Sequence, residues 1–294
     1  MYWRNRQKIV EQAYGYLINV RLLEWRAYLG MSLLGYLQGL GNPLLIFSDY
    51  LSFTKYLVTV LLYLAFSFAI NNCFDYEGDR LGDKISKNPV ASGIIGQREG
   101  VIQSVLIALT GVTLTFLWFD GYTFGLYFVM ILLSGAYSIP PLRLKSVPFM
   151  DMMSHGLFFG ALIILYGISV TQGFGGGTYY LVGSIFVFSL ILELRNHIDD
   201  APEDYASNVD TTVTKIGLVR SNKLLYALNF VHFSFLLGIT SFIGFQAVSL
   251  LVFVLTISLV LLYSVKANKN LYLRSIDVLT TLVYVFFVLK GIII

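Results

Sequence analysis

Cysteine occurs once in the 294 residues, at Cys73, and histidine three times, at His155, His197 and His232. A lone thiol makes no internal disulfide, and no Cys/His spacing here matches a zinc site. Disulfide scaffolds and thiolate metal centres are thereby excluded. Charge is scarce as well: Asp, Glu, Lys and Arg make up 13% of the chain against 56% hydrophobic residues, where a soluble domain carries about a quarter charged residues. A water-soluble globule is excluded, and a polytopic membrane protein is implied. Low-complexity sequence is confined to GGG at 175–177, and no nucleic-acid partner is expected.

Windows of roughly 20 residues, the length that crosses a bilayer, define nine candidate spans: 26–47, 53–74, 100–118, 121–138, 149–171, 178–197, 222–241, 244–265 and 274–293. The long or charged connections follow spans two, four, six and eight, so they share one face with the N-terminus. On that face lie 18 of the 20 Lys and Arg, leaving Lys55 and Lys290 opposite. By the positive-inside rule the face is cytoplasmic. Residues 1–25 are amphipathic and lack the apolar stretch of a signal peptide, so an interfacial helix is expected there.

Against this apolar background one polar pattern is written twice. In NNCFDYEGD at 71–79 and RNHIDDAPED at 195–204, Asn71, Asp75 and Asp79 recur as Asn196, Asp200 and Asp204. Spacings of four put each set on one helical face, and acidic groups at the ends of membrane helices are costly unless paired with cations. The two strings imply a divalent-cation site in two halves. Asp199 with Glu203 has the same spacing; the repeated Asn-Asp-Asp order favours Asp200 and Asp204. Pro202 lies between those two and is expected to disturb the helix that aligns them. Oxygen ligands in quantity, without His or Cys, select Mg²⁺, with Mn²⁺ as the alternative. Mg²⁺ is readily shared with a phosphate ligand, and a membrane enzyme that activates a diphosphate suits a lipid diphosphate. Its tail would lie between helices, among the 23 Phe and 20 Tyr. In AYSIPPLRLKSVP, Pro140 and Pro141 end a helix just after Tyr137 and project Arg143 and Lys145 over the same opening.

NNCFDYEGD, AYSIPPLRLK and the Asp-x-x-x-Asp at 200–204 resemble the signatures of the UbiA-type intramembrane prenyltransferases, and the resemblance runs the length of the chain. It implies an all-α, single-domain protein with nine transmembrane helices around a central cavity, capped on the cytoplasmic side by loops at about 75–99, 139–148 and 198–221. It also implies Mg²⁺-dependent transfer of a prenyl group from an isoprenyl diphosphate to a lipophilic acceptor in the cell membrane. Asn71, Asp75, Asp79, Asp200 and Asp204 would then hold the metal, the four aspartates acting as the catalytic set. Tyr137, Arg143 and Lys145 would lie near the diphosphate, with Asn71 and Asn196 beside them. The family often has Arg-Pro before the turn at ASG; here Asn88 precedes Pro89, and Lys87 is the nearest cation for that contact. The implied chemistry is ionisation of the carbon–oxygen bond, shielding of the allylic cation by aromatic rings, attack by the acceptor and loss of a proton to a group the sequence does not identify. An aromatic quinone precursor is the acceptor expected, with geranylgeranylglyceryl phosphate or a chlorophyllide-type molecule as alternatives.

Two other functions fit the residues less well. A CDP-alcohol phosphotransferase would need its aspartates in one long motif rather than two distant ones. A cation-coupled transporter would place them near the bilayer midplane rather than at one crowded mouth. Of the remaining polar residues, His155 and His232 are expected to be hydrogen-bonded within the bundle, His197 to orient a carboxylate, and Arg21 and Arg26 to contact lipid headgroups.

Overall fold

The computed structural model describes residues 2–80, 83–206, 209–243, 256 and 269–293. Among them every regular element is a helix. In chain order these are α1 (Tyr2–Asn19), α2 (Arg26–Leu40), α3 (Tyr50–Asp79), α4 (Gln97–Trp118), α5 (Gly121–Ser138), α6 (Met150–Thr171), α7 (Thr178–Ala206), α8 (Thr212–Ile216), α9 (Leu218–Ser241) and α10 (Lys269–Ile293). Six of the described helices, α3 to α7 and α9, are long and apolar enough to cross a membrane. A shorter apolar stretch, Ile276–Leu289, lies within α10. The eighth expected span, 244–265, falls outside the described residues except at Thr256.

The first expected span differs from the reading of 26–47 as one crossing. Helix α2 has 15 residues, about 22 Å at 1.5 Å per residue, against a hydrocarbon core of about 30 Å. Gly41, at φ 70°, ends it, and Pro43 opens a 3₁₀ turn over Pro43–Phe47. What α2 lacks in length it has in closeness to α6. A Cβ at Gly35 would lie 2.3 Å from the Ile164 carbonyl oxygen, and one at Gly167 would lie 2.6 Å from that of Ser32. Small residues spaced four apart, Gly35 and Gly39, let the two backbones touch, which is how membrane helices gain packing without a hydrophobic driving force.

Helices α2, α3, α5, α6 and α7 surround a core rich in tyrosine, in which Tyr56, Tyr63, Tyr127 and Tyr166 have no exposed surface. Their hydroxyls are satisfied: Tyr56 shares a hydrogen bond with Ser32 at 2.7 Å, Tyr166 shares one with Thr59 at 2.6 Å, Tyr63 donates to Phe158 O and Tyr127 donates to Thr59 O. In apolar surroundings such bonds are needed, because an unpaired hydroxyl there is costly. The outer helices present large apolar side chains outward, including Leu106, Leu109 and Phe116 on α4 and Phe230 on α9, as a lipid-facing surface requires. At the N-terminus, α1 is tied to the bundle through Asn19: its side chain donates to Gln103, and Asn72 donates to its backbone oxygen.

Candidate active site

The last turns of α3 carry Asn71, Asp75 and Asp79; the last turns of α7 carry Asn196, Asp200 and Asp204. All six line one cavity of about 560 Å³, joined by Tyr137 from the end of α5 and by Arg143 and Lys145 from the loop after it. Two segments more than a hundred residues apart thus converge as their repeated spacing predicts. Helix α7 continues through Pro202 to Ala206, so Asp200 and Asp204 keep a common side. Asp199 reaches the same cavity, whereas the side chain of Glu203 lies outside the described atoms.

Charge pairing organises the α3 half. Lys145 Nζ pairs with Asp75 Oδ1, and Arg143 Nη2 lies 3.4 Å from the same oxygen. Burial pushes the Lys145 ammonium below the usual lysine range, with Asp75 opposing that shift. Arg143 is held at φ 32°, a conformation that costs a non-glycine residue about 1–3 kcal/mol and clusters at functional sites. Asp79 accepts from Asn88 Nδ2 at 2.9 Å and faces Arg21 Nη2 at 3.6 Å. Arg21, expected at lipid headgroups, is therefore drawn to the mouth. The Nε atoms of Arg21 and Arg143 are buried with no hydrogen-bond partner among the described residues, leaving donors for an anion.

Lys87 is not brought to the cavity. It is exposed, and its ammonium pairs with Glu24 at 3.4 Å. The neighbouring Asn88 is the residue that matters structurally. Fully buried, it donates to Asp79 and to Asn72 O while its own oxygen accepts from Val90 N and Ala91 N.

A second polar set joins His155 and His197, read from the sequence as a buried hydrogen-bonding group and a carboxylate-orienting group, to three residues the sequence reading missed, Glu193, Asp151 and Thr212. Glu193, one helical turn before Asn196, is buried in the cavity wall. It accepts from Tyr137 OH at 2.7 Å and faces His155 Nε2 at 3.5 Å and His197 Nε2 at 3.3 Å. His197 Nδ1 lies 3.3 Å from Asp151, whose carboxylate also accepts from Thr212 N and Thr212 Oγ1 at 2.6 and 2.5 Å. This chain ties α6, α7 and α8 together under the mouth. Its signal was present in the sequence, since a glutamate inside an apolar run marks function by default. Tyr137 reaches the cavity as expected, but its hydroxyl is committed to Glu193. Asn71 donates to Ser138 Oγ at 3.4 Å, and Asn196 to Glu193 Oε2 at 3.4 Å.

The donor set suits a hard divalent cation. Six carboxylates (Asp75, Asp79, Glu193, Asp199, Asp200 and Asp204) line the cavity against two cations, Arg143 and Lys145. Among the described residues no three His, Cys, Asp or Glu side chains close on a single point as a finished metal cage. The carboxylates face one another across open space, which fits an ion completed by water and ligand oxygens, as Mg²⁺ prefers.

Together the fold and the site define a membrane-type helical bundle with an acid-lined mouth suited to metal-assisted handling of an anion. Residues 30–288 match the UbiA prenyltransferase family, and the chain belongs to it. The chain is 29% identical over 177 residues to a lycopene elongase/hydratase of Halobacterium salinarum, covering 58% of each protein. The fold is shared with a UbiA homologue from Archaeoglobus fulgidus bound to GPP and Mg²⁺ (21% identity, TM-score 0.70, 94% of this chain and 99% of that one). It is also shared with a digeranylgeranylglyceryl phosphate synthase (18% identity, TM-score 0.76, 97% and 100%).

Proposed function

We propose that this protein transfers a prenyl group from an isoprenyl diphosphate to a lipophilic acceptor within the membrane, with the diphosphate seated in the acid-lined mouth. One observation carries the reading: six carboxylates oppose two cations in a single cavity. A diphosphate of about three negative charges, by its phosphate ionisation, would be repelled there without accompanying divalent cations, and a site for a cation alone would not leave arginine donors unpaired. Asn71, Asp75, Asp79, Asp200 and Asp204 are the residues that would hold Mg²⁺, which supplies charge neutralisation that makes the diphosphate a good leaving group. Arg143 and Lys145, anchored on Asp75, take up charge on the leaving oxygens. Tyr137 and Glu193 stand at the floor of the mouth, where the breaking bond would lie.

The same reading supports nine spans by sequence: the six long helices, the stretch 26–47 as α2 together with the turn at Pro43–Phe47, the stretch 274–293 within α10, and 244–265, which lies outside the described residues except at Thr256. The loop at 139–148 and the segment around α8 cap a mouth that opens to the cytoplasm. For the acceptor, an aromatic quinone precursor, a glycerol-phosphate lipid and, by likeness to the Halobacterium protein, a carotenoid hydrocarbon are the classes to compare.

The test is to incubate purified protein with labelled dimethylallyl, geranyl and geranylgeranyl diphosphates, Mg²⁺ and each acceptor class. Diphosphate release that EDTA abolishes and added Mg²⁺ restores is expected with at least one donor. No metal-dependent binding or turnover of any of them would overturn the reading.

A further inference from the structure

Joining a prenyl group to a neutral acceptor leaves one proton to be removed. The acid-lined mouth adjoins a smaller cavity, and the two share Asn71, Tyr137 and Glu193. Of the carboxylates that line either one, Glu193 alone lines both. We propose that Glu193 is the base that takes the acceptor's proton. The proposal rests on the prenyl-transfer reading above and adds to it the group that completes the reaction.

In the step, the bond between C1 of the prenyl group and the diphosphate oxygen breaks, and its electron pair leaves with the diphosphate. An electron pair of the acceptor, from a hydroxyl oxygen, an aromatic ring or an alkene, forms the new bond to C1. Positive charge then rests on the acceptor. Glu193 removes a proton from it, becoming a carboxylic acid and leaving a neutral product, and later gives that proton to the departing diphosphate or to water at the mouth. A cationic acceptor is a far stronger acid than a carboxylic acid, so the base needs a fixed charge within reach more than high basicity.

Position is the first ground. Glu193 lies seven residues before Asp200 in α7. Two helical turns bring both to one side, with Glu193 about 10 Å deeper in the bundle at 1.5 Å per residue. A diphosphate held by the aspartates would therefore have Glu193 on the side of its tail. The second ground is that the other acids are committed. Lys145 and Arg143 engage Asp75, and Asn88 and Arg21 engage Asp79. A carboxylate bound to a divalent cation is a poor proton acceptor. Asp199 lines the mouth alone, and buried Asp151 lines neither cavity, being held by Thr212 and His197.

The third ground is that Glu193 is held by donors and, among the described residues, pairs with no lysine or arginine. Tyr137 OH donates to Oε1 at 2.7 Å and His197 Nε2 faces the same oxygen at 3.3 Å, while His155 Nε2 and Asn196 Nδ2 face Oε2 at 3.5 and 3.4 Å. Each histidine is fixed from behind. His155 meets Ser189 Oγ at 3.1 Å and Tyr28 OH at 3.3 Å, and His197 Nδ1 lies 3.3 Å from Asp151. A carboxylate is costly inside a membrane bundle, and this one is supported on both oxygens and set in one place, as a group that must reach a particular atom requires.

The experiment compares wild type with Glu193→Gln, Glu193→Asp and Glu193→Ala, using a labelled prenyl diphosphate, Mg²⁺ and the acceptor that wild type prenylates. It reads prenylated product, free prenyl alcohol formed when water captures the cation, and binding of the unreactive thiolodiphosphate analogue. Glu193→Gln is expected to lower kcat for transfer at least about 100-fold, the scale of a lost general base, with analogue affinity within about threefold of wild type and a larger share of prenyl alcohol. Added formate is expected to restore transfer by Glu193→Ala about tenfold, supplying the missing carboxylate, whereas chloride should not. Glu193→Asp, which keeps the charge but draws it back by one methylene, is expected to lose about tenfold in kcat and carries the test should the other variants not fold. Wild-type kcat in Glu193→Gln or Glu193→Asp would overturn the assignment and leave prenyl transfer standing. So would a fall in transfer matched by an equal fall in analogue binding, or a folded Glu193→Ala that formate does not restore. Should wild type transfer no prenyl group to any acceptor class, the prenyl-transfer reading itself fails and this assignment with it.

Discussion

Asp75 and Lys145 show how one contact carries both architecture and chemistry. In an apolar bundle neither charge is tolerated alone, and together they leave Lys145 half-committed, able to turn a proton-bearing donor toward an incoming anion. Lys145→Ala should raise the Michaelis constant for the prenyl diphosphate by about tenfold, as loss of a charge-assisted contact of about 1.5–3 kcal/mol predicts, with kcat less affected. An unchanged constant would return Lys145 to a purely topological role. Asp75→Ala and Asp200→Ala should each lower kcat/KM by at least about 100-fold, the scale expected when charge stabilisation of a leaving group is removed; Asp75→Ala should also lower the thermal transition in detergent, because it leaves Lys145 unpaired, whereas Asp200→Ala should keep it close to wild type. Wild-type rates in both would remove these residues from the site. Most of this cluster was legible in advance because hard-ligand side chains are rare here and their spacing repeats. Glu193, Asp151 and Thr212 were harder to read. They belong to no repeat, and what joins them is proximity across three helices.

Among the elements, long uninterrupted apolar runs made the spans legible: α5 begins and ends where hydropathy places it, at Gly121–Ser138. Helix α2 was less so, because an apolar run reports avoidance of water and says nothing about straightness; Gly41 and Pro43 cut the expected crossing short. Contact with α6 compensates through glycine. Gly35→Leu should therefore lower the thermal midpoint in detergent, with an overpacking cost of about 1–3 kcal/mol, since its Cβ would meet the Ile164 backbone rather than a movable side chain. Gly30→Leu, on the same helix with open space around its Cα, serves as the control and should leave the midpoint in place. Equal midpoints for both would mean that the α2–α6 contact contributes nothing to stability.

For the molecule as a whole the governing asymmetry is charge. The 18 basic residues assigned to one face also mark the end where the mouth opens, so a water-soluble donor should be consumed from one side only. In sealed inside-out vesicles, an externally added prenyl diphosphate that the purified protein uses should be turned over without permeabilisation, whereas right-side-out vesicles should need detergent. Activity reversed between the two preparations would invert the topology. At this scale the acid-lined mouth adjoins a smaller cavity with which it shares Asn71, Tyr137 and Glu193.

What the sequence by itself determined is the membrane environment, the helical class and the two acidic half-sites, because each follows from local composition or from spacing along one helix. Only the tertiary structure decided that Arg21 joins Asp79 while Lys87 stays outside, and that a Glu–His–Asp chain braces the mouth. These depend on which side chains from distant helices meet, and distance across the fold is not written in the order of residues along the chain.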